Sequence, residues 1–161
     1  MYETIVTVLV WVSALACGLM AGLYFAFSSF IMRALGGIEP TAGITAMNAI
    51  NLTIVRSAFL PLFLGSTLVA AVLAVIGIVD RETPHALPML AGGAIYVVGM
   101  FGVTMARNVS LNDALTKVDP ASGEGSALWR RYLGQWTRWN HLRTLASLAA
   151  CALHVPTISL V

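Results

Sequence analysis

The run Trp136-Thr137-Arg138-Trp139-Asn140-His141-Leu142-Arg143 puts indole, guanidinium, amide and imidazole groups side by side. Indole faces pack against flat rings, and guanidinium, amide and imidazole groups offer directional hydrogen bonds to oxygen. Asn108 and Asn112 make a second polar pair, spaced so that they share one face wherever their segment is helical. A membrane-interface belt would account for Trp136, Trp139 and the arginines, since indoles sit at headgroup level and arginines reach the phosphates. It does not call for Asn140 and His141 beside them, or for two asparagines at the same depth. Groups of these kinds converging at one level are suited to orienting a flat, oxygenated aromatic molecule.

The elements that position them follow from composition. Of 161 residues, 58% are hydrophobic and only 10% charged, where a soluble domain carries about a quarter charged residues. This composition points to an integral membrane protein, and the net charge of +2 is too small for a nucleic-acid binder. A bilayer core takes roughly 20 apolar helical residues to cross. The charged positions divide the sequence into four such stretches, at about 5–32, 57–79, 86–106 and 144–161, within a single membrane domain covering 1–161. The fold expected is all-α, a four-helix transmembrane bundle with short amphipathic helices on the cytoplasmic side. The first stretch has no basic segment before it and exceeds the length of a cleaved signal, so it reads as a retained anchor.

Every Lys and Arg of the nine except Arg81 falls in the segments 33–56 and 107–143. The positive-inside rule makes those segments cytoplasmic and places both termini outside, in a membrane expected to be a bacterial plasma membrane. Thr41 to Arg56 reads as an interfacial helix, with Ile44, Met47, Ile50, Ile54 and Val55 on its apolar side and Asn48 and Asn51 on its more polar side. Asp119-Pro120 reads as a helix start, a capping carboxylate before a proline in the first turn. Beyond it Trp129, Tyr132, Trp136, Trp139 and Arg143 recur at three- and four-residue steps, a stripe running straight into the fourth span.

None of the four spans contains Asp, Glu, Lys or Arg, which argues against a proton-driven transporter and against a di-iron carboxylate bundle. His85, His141 and His154 fall at opposite faces of the membrane, so no protein-ligated metal is expected, with a haem on a single histidine left open. Cys17 and Cys151 lie in apolar runs without zinc-type spacing. Gly18-Leu19-Met20-Ala21-Gly22 is a ladder of small residues that suits close helix packing, within the chain or between copies of it through Gly18 and Gly22. Met20, Phe25, Phe27, Phe30 and Met32 read as packing or lipid-facing residues.

Three segments carry a resemblance to a known family: Ala21-Gly22-Leu23-Tyr24-Phe25-Ala26-Phe27-Ser28, Phe101 to Asn112, and Trp136 to Thr144. Over nearly the whole chain the sequence resembles the anthrone-oxygenase-like family of small four-span membrane proteins, long catalogued as a domain of unknown function. Ser110 stands where the family's asparagine motif often has proline, which implies a less rigid bend with the same polar groups. The resemblance implies an oxidoreductase, a cofactor-independent monooxygenase that uses O2 to oxidise an anthrone-like polycyclic aromatic. It implies Trp136 and Trp139 stacking on the rings, Asn108 and Asn112 binding substrate, Arg143 and Asn140 with Asn112 stabilising an enolate oxygen, and His141 as base. The alternative of another class is a structural or accessory membrane protein that binds a lipid or a partner protein.

Overall fold

The computed structural model describes residues 1–160, and Val161, the end of the fourth expected span, lies outside them. Five helices account for the described residues, with no strand among them: α1 (Tyr2–Gly36), α2 (Pro40–Ile54), α3 (Phe59–Val79), α4 (Ala86–Thr116) and α5 (Gly123–Thr157). Three of them, α1, α3 and α4, are long and apolar enough to cross a membrane. The last helix, α5, is the longest stretch of uninterrupted α-helix, but its first half is polar and charged. Its apolar second half is short of a full crossing within the described residues.

Helix boundaries follow local chemistry. At α2, Glu39 accepts a hydrogen bond from the Ala42 N–H at 3.2 Å and Pro40 occupies the first turn, where its missing N–H costs nothing. At α5 the cap is Ser122, whose hydroxyl accepts from the Gly125 N–H at 2.9 Å. The expected start at Asp119-Pro120 is therefore displaced. Asp119 instead accepts from the Ala121 N–H two residues on, closing a turn ahead of the helix. The helix through Asn108 and Asn112 is not broken: α4 continues from Ala86 to Thr116 through wider π-turns at Tyr96–Gly102 and Thr104–Asn108. A further π-turn lies in α1 at Phe27–Ile31. Such turns rotate the side chains that follow them and recur at functional sites.

The four long helices α1, α3, α4 and α5 contribute to one apolar core through Cys17, Met20, Tyr24, Phe63, Ala70, Tyr96, Met100 and Ala150. Helices α1 and α5 run antiparallel, because Ser13 and Tyr24 of α1 meet His154 and Asn140 of α5 in reverse order. A second cluster at the other end packs Phe27, Met32, Ile44, Met47, Leu115, Trp129, Tyr132 and Trp136. That cluster seats α2 across the ends of the long helices. Gly43 makes the seat possible: a Cβ there would lie 2.8 Å from the Trp129 ring and 2.9 Å from the Leu35 carbonyl. Of the five residues expected in packing or lipid contact, Met20, Phe27 and Met32 are buried while Phe25 and Phe30 face outward. Gly18 faces Cys151 of α5 within the chain, whereas Gly22 opens outward. Both cysteines are free.

Candidate functional site

All five helices line one cavity of about 210 Å³ at the α2 end of the molecule. Its walls are Leu23, Tyr24 and Phe27 from α1, Met47, Ile50, Asn51 and Ile54 from α2, Phe59, Leu60 and Phe63 from α3, Thr104, Met105, Val109 and Asn112 from α4, and Trp136 and Arg143 from α5, with Val55 at the end of α2. The lining is apolar except for a few convergent polar groups, the usual constitution of a small-molecule site.

Arg143 is the one charged residue of the lining, and only 4% exposed. Its guanidinium lies over the Tyr24 ring, 4.3 Å from the centroid, and 5.0 Å from the centroid of the Trp136 ring. One terminal nitrogen donates to Asn140 Oδ1 at 2.5 Å and the other reaches Thr104 Oγ1 at 3.4 Å. Its Nε has no acceptor, and the only ion pair among the described residues is the exposed Arg81–Glu82. A guanidinium does not shed its proton to escape such a place. The two π faces stabilise the cation in part, and the missing carboxylate leaves it free to receive an anion.

Asn140 holds Arg143 in that pose. It is fully buried, and its amide donates to the Tyr24 carbonyl and the Ser28 hydroxyl, both at 2.6 Å, while its oxygen accepts from Arg143. The side chain thus ties α5 to α1 and does not itself line the cavity.

A second polar group is built around Asn112. Its Oδ1 accepts from the Tyr132 hydroxyl at 2.7 Å and from the Trp136 indole N–H at 3.0 Å, and its amide donates to Asn51 Oδ1 at 3.1 Å. Burial pushes the Tyr132 phenol upward from its ordinary value, so the hydroxyl stays protonated and remains a donor. Asn108 is buried one turn earlier and donates to the Trp136 carbonyl at 3.3 Å, leaving its Oδ1 without a partner. Both asparagines of α4 therefore fix the turn of α5 that carries Trp136.

The expected site residues thus divide. Arg143, Asn112 and Trp136 reach the cavity, and Asn140 and Asn108 hold that assembly from behind. Trp139 and His141 are not brought to it. Trp139 is half-buried on another side of α5, with Arg107 at 4.9 Å from its ring centroid and Arg138 at 6.0 Å. His141 is exposed and lines a shallow groove between α1 and α5 with Arg33 and Arg138. Missed by the sequence reading were Tyr24 and Thr104, which complete the Arg143 nest, and Asn51, which was assigned to the polar side of a surface helix. That polar side faces α4, where Asn48 meets the Leu115 carbonyl at 3.5 Å and Asn51 meets Asn112. His154 lies far from this cavity, bonded to Ser13 at 3.0 Å with its other nitrogen against Gly92.

Fold and site together define an all-helical protein of membrane type with an aromatic, apolar cavity that holds one unpaired guanidinium. The family model described as anthrone oxygenase matches residues 51–153, well over half of the chain, and the chain belongs to that family. No curated protein and no solved structure matches the chain.

Proposed function

We propose that this protein is a membrane-embedded monooxygenase that oxidises an anthrone-like polycyclic aromatic with O2. The observation that carries the reading is Arg143: a buried cation without a counter-ion, set between two aromatic rings in the wall of an apolar cavity. An anthrone has an acidic CH2 opposite its carbonyl, and loss of a proton places the negative charge largely on that oxygen. A guanidinium fixed beside the oxygen in a dry site stabilises the anion far more than water-exposed donors would. The electron-rich anion reduces O2, and carbon–oxygen bond formation at the former CH2 gives a peroxide. Loss of water from it leaves the second carbonyl, with one oxygen atom in the product and the other in the water. The substrate anion is the reductant, so this reading calls for no metal or flavin.

The role of base passes from His141 to the electrostatics of the cavity. No carboxylate or imidazole is among its lining residues, so Arg143 acidifies the bound substrate and the proton ends on the peroxide oxygen, from which it leaves in the water formed. The mouth is flanked by Val55, Leu60 and Met105, all exposed apolar side chains. An apolar substrate dissolved in the bilayer meets such an opening without crossing water. The apolar end of α5 completes a fourth crossing, with both termini outside and α2 at the cytoplasmic interface of the plasma membrane.

A second reading, binding of an anionic lipid headgroup without catalysis, is favoured by the groove that places Arg33, Arg138 and His141 together. Oxygen uptake by detergent-purified protein given a hydroxylated anthrone, corrected for the spontaneous rate, separates the two. Uptake well above background that falls by a factor of about 10²–10³ in Arg143→Met is expected for the oxygenase. Equal uptake by wild type, Arg143→Met and buffer would sink it.

A further inference from the structure

The residues of the Trp136–Arg143 run that the cavity does not use lie on the outside of α5. Arg138 and His141 line the groove against α1, which contributes Arg33 to it, and all three are exposed. No Asp or Glu lines the groove, and the only ion pair among the described residues is Arg81–Glu82, so neither arginine has a carboxylate partner. Gly36 and Gly134 bring no side chain to fill it, and a Cβ at Gly134 would meet nothing within 4 Å.

The groove lies where charge gives way to apolar surface. α1 is uncharged from Met32 back to Thr4, and α5 is uncharged from Thr144 onward. Because the two helices are antiparallel, both uncharged stretches leave the groove in the same direction. On α5, Arg138, His141, Leu145 and Leu148 follow at three- and four-residue steps and are all exposed. The helix face that carries cations at the groove therefore carries bare leucines beyond it. Along the same length of α1, Phe25 is exposed and Gly22 opens outward.

A cationic notch continued by an apolar strip complements a lipid, with a phosphate at one end and an acyl chain at the other. The charge selects among lipids. A zwitterionic headgroup brings an ammonium with its phosphate, and the groove has no carboxylate to receive it. We propose that the groove between α1 and α5 holds one anionic glycerophospholipid, its phosphate between Arg33 and Arg138 and one acyl chain along Leu145 and Leu148. The site rests on the headgroup reading of this groove given above, adds the chain and the selection by charge, and operates whether or not the cavity is catalytic.

Native mass spectrometry of the full-length protein, delipidated in detergent and titrated with dioleoylphosphatidylglycerol or dioleoylphosphatidylcholine, tests this. Wild type binds the first phosphatidylglycerol roughly 25-fold more tightly than phosphatidylcholine, a factor of about five for each arginine near a lipid phosphate. Arg33→Gln combined with Arg138→Gln abolishes the preference, whereas Arg81→Gln, at the opposite end of the bundle, keeps it. If the double variant fails to fold, each single variant carries the test with a loss of about fivefold. Leu145→Ala combined with Leu148→Ala weakens both lipids and leaves their ratio unchanged. Displacement of bound phosphatidylglycerol by an equal concentration of water-soluble glycerophosphoglycerol would overturn the lipid assignment and leave a headgroup site alone. Equal uptake of the two lipids by wild type, or a preference that survives the arginine substitutions, would overturn the headgroup reading of the groove as well.

Discussion

At the scale of single residues, the decisive contrast is between Arg143 and His141, which lie two positions apart and on different sides of α5. Arg143 faces inward to Tyr24, Thr104 and Trp136, while His141 faces the groove beside Arg33. His141→Ala is therefore expected to retain oxygen uptake within about twofold, as an exposed substitution away from the cavity does. Uptake lost in His141→Ala would restore it as the base and would require a different substrate pose. Asn140→Ala carries the opposite expectation. It leaves the Ser28 hydroxyl and one Arg143 nitrogen without their partner, and cuts the bond that ties α5 to the Tyr24 carbonyl. Leaving buried polar groups without partners costs about 1–3 kcal/mol for each, so the thermal midpoint and the turnover number should fall together. A midpoint equal to wild type would show that Asn140 is not what fixes Arg143.

At the scale of elements, the sequence showed the helical stripe of α5 but misassigned one of its members. The buried face runs through Trp129, Tyr132, Trp136, Asn140 and Arg143, whereas the pattern read from the sequence had Trp139 in place of Asn140. Steps of three and four residues are both allowed on a helix face, and an indole is the more obvious apolar choice than an amide. The buried amide is legible only once Tyr24 and Ser28 are known to lie opposite it. Asn51 was illegible for a similar reason: its partner Asn112 is remote in sequence, and an isolated helix with one polar side looks like a surface helix. The seat of α2 gives a test at this scale. In an open helix, Gly43→Ala would gain about 1 kcal/mol in propensity. Here the new methyl meets the Trp129 ring at 2.8 Å and the Leu35 carbonyl at 2.9 Å, and a backbone carbonyl cannot move aside cheaply. Overpacking of this kind typically costs about 1–3 kcal/mol, so the net sign is destabilising. The thermal midpoint of Gly43→Ala should drop, and a rise would mean that α2 is not held against Trp129.

At the scale of the whole molecule, the two ends of the bundle differ in what they hold. One end carries α2, the cavity and the arginines; the other packs Val6, Val10, Leu73 and Met89 and ends in the exposed Arg81–Glu82 turn. This asymmetry is the three-dimensional form of the charge distribution along the chain, and the proposed orientation rests on it. The charge pattern led to the expectation of a fourth crossing at 144–161, but that apolar stretch is the second half of one continuous helix whose first half is polar, and three other helices are the ones long and apolar enough to cross. The antiparallel packing of α5 on α1 gives the argument for crossing: Arg143 lies level with Tyr24, and His154 lies level with Ser13, well along a helix long and apolar enough to span. Ile158, beyond His154, accordingly packs on the cluster of Val6 and Val10 near the α1 N-terminus, which supports the proposed fourth crossing. Single cysteines at the exposed positions Ala121 and Ser159, in a chain with Cys17 and Cys151 replaced by alanine, turn this into a measurement. A membrane-impermeant maleimide applied to intact cells should label Ser159→Cys and leave Ala121→Cys unlabelled until the membrane is opened. Labelling of both positions from one side would mean three crossings, and the cavity wall formed by Trp136 and Arg143 would then have to be supplied by a helix folded back against the bundle.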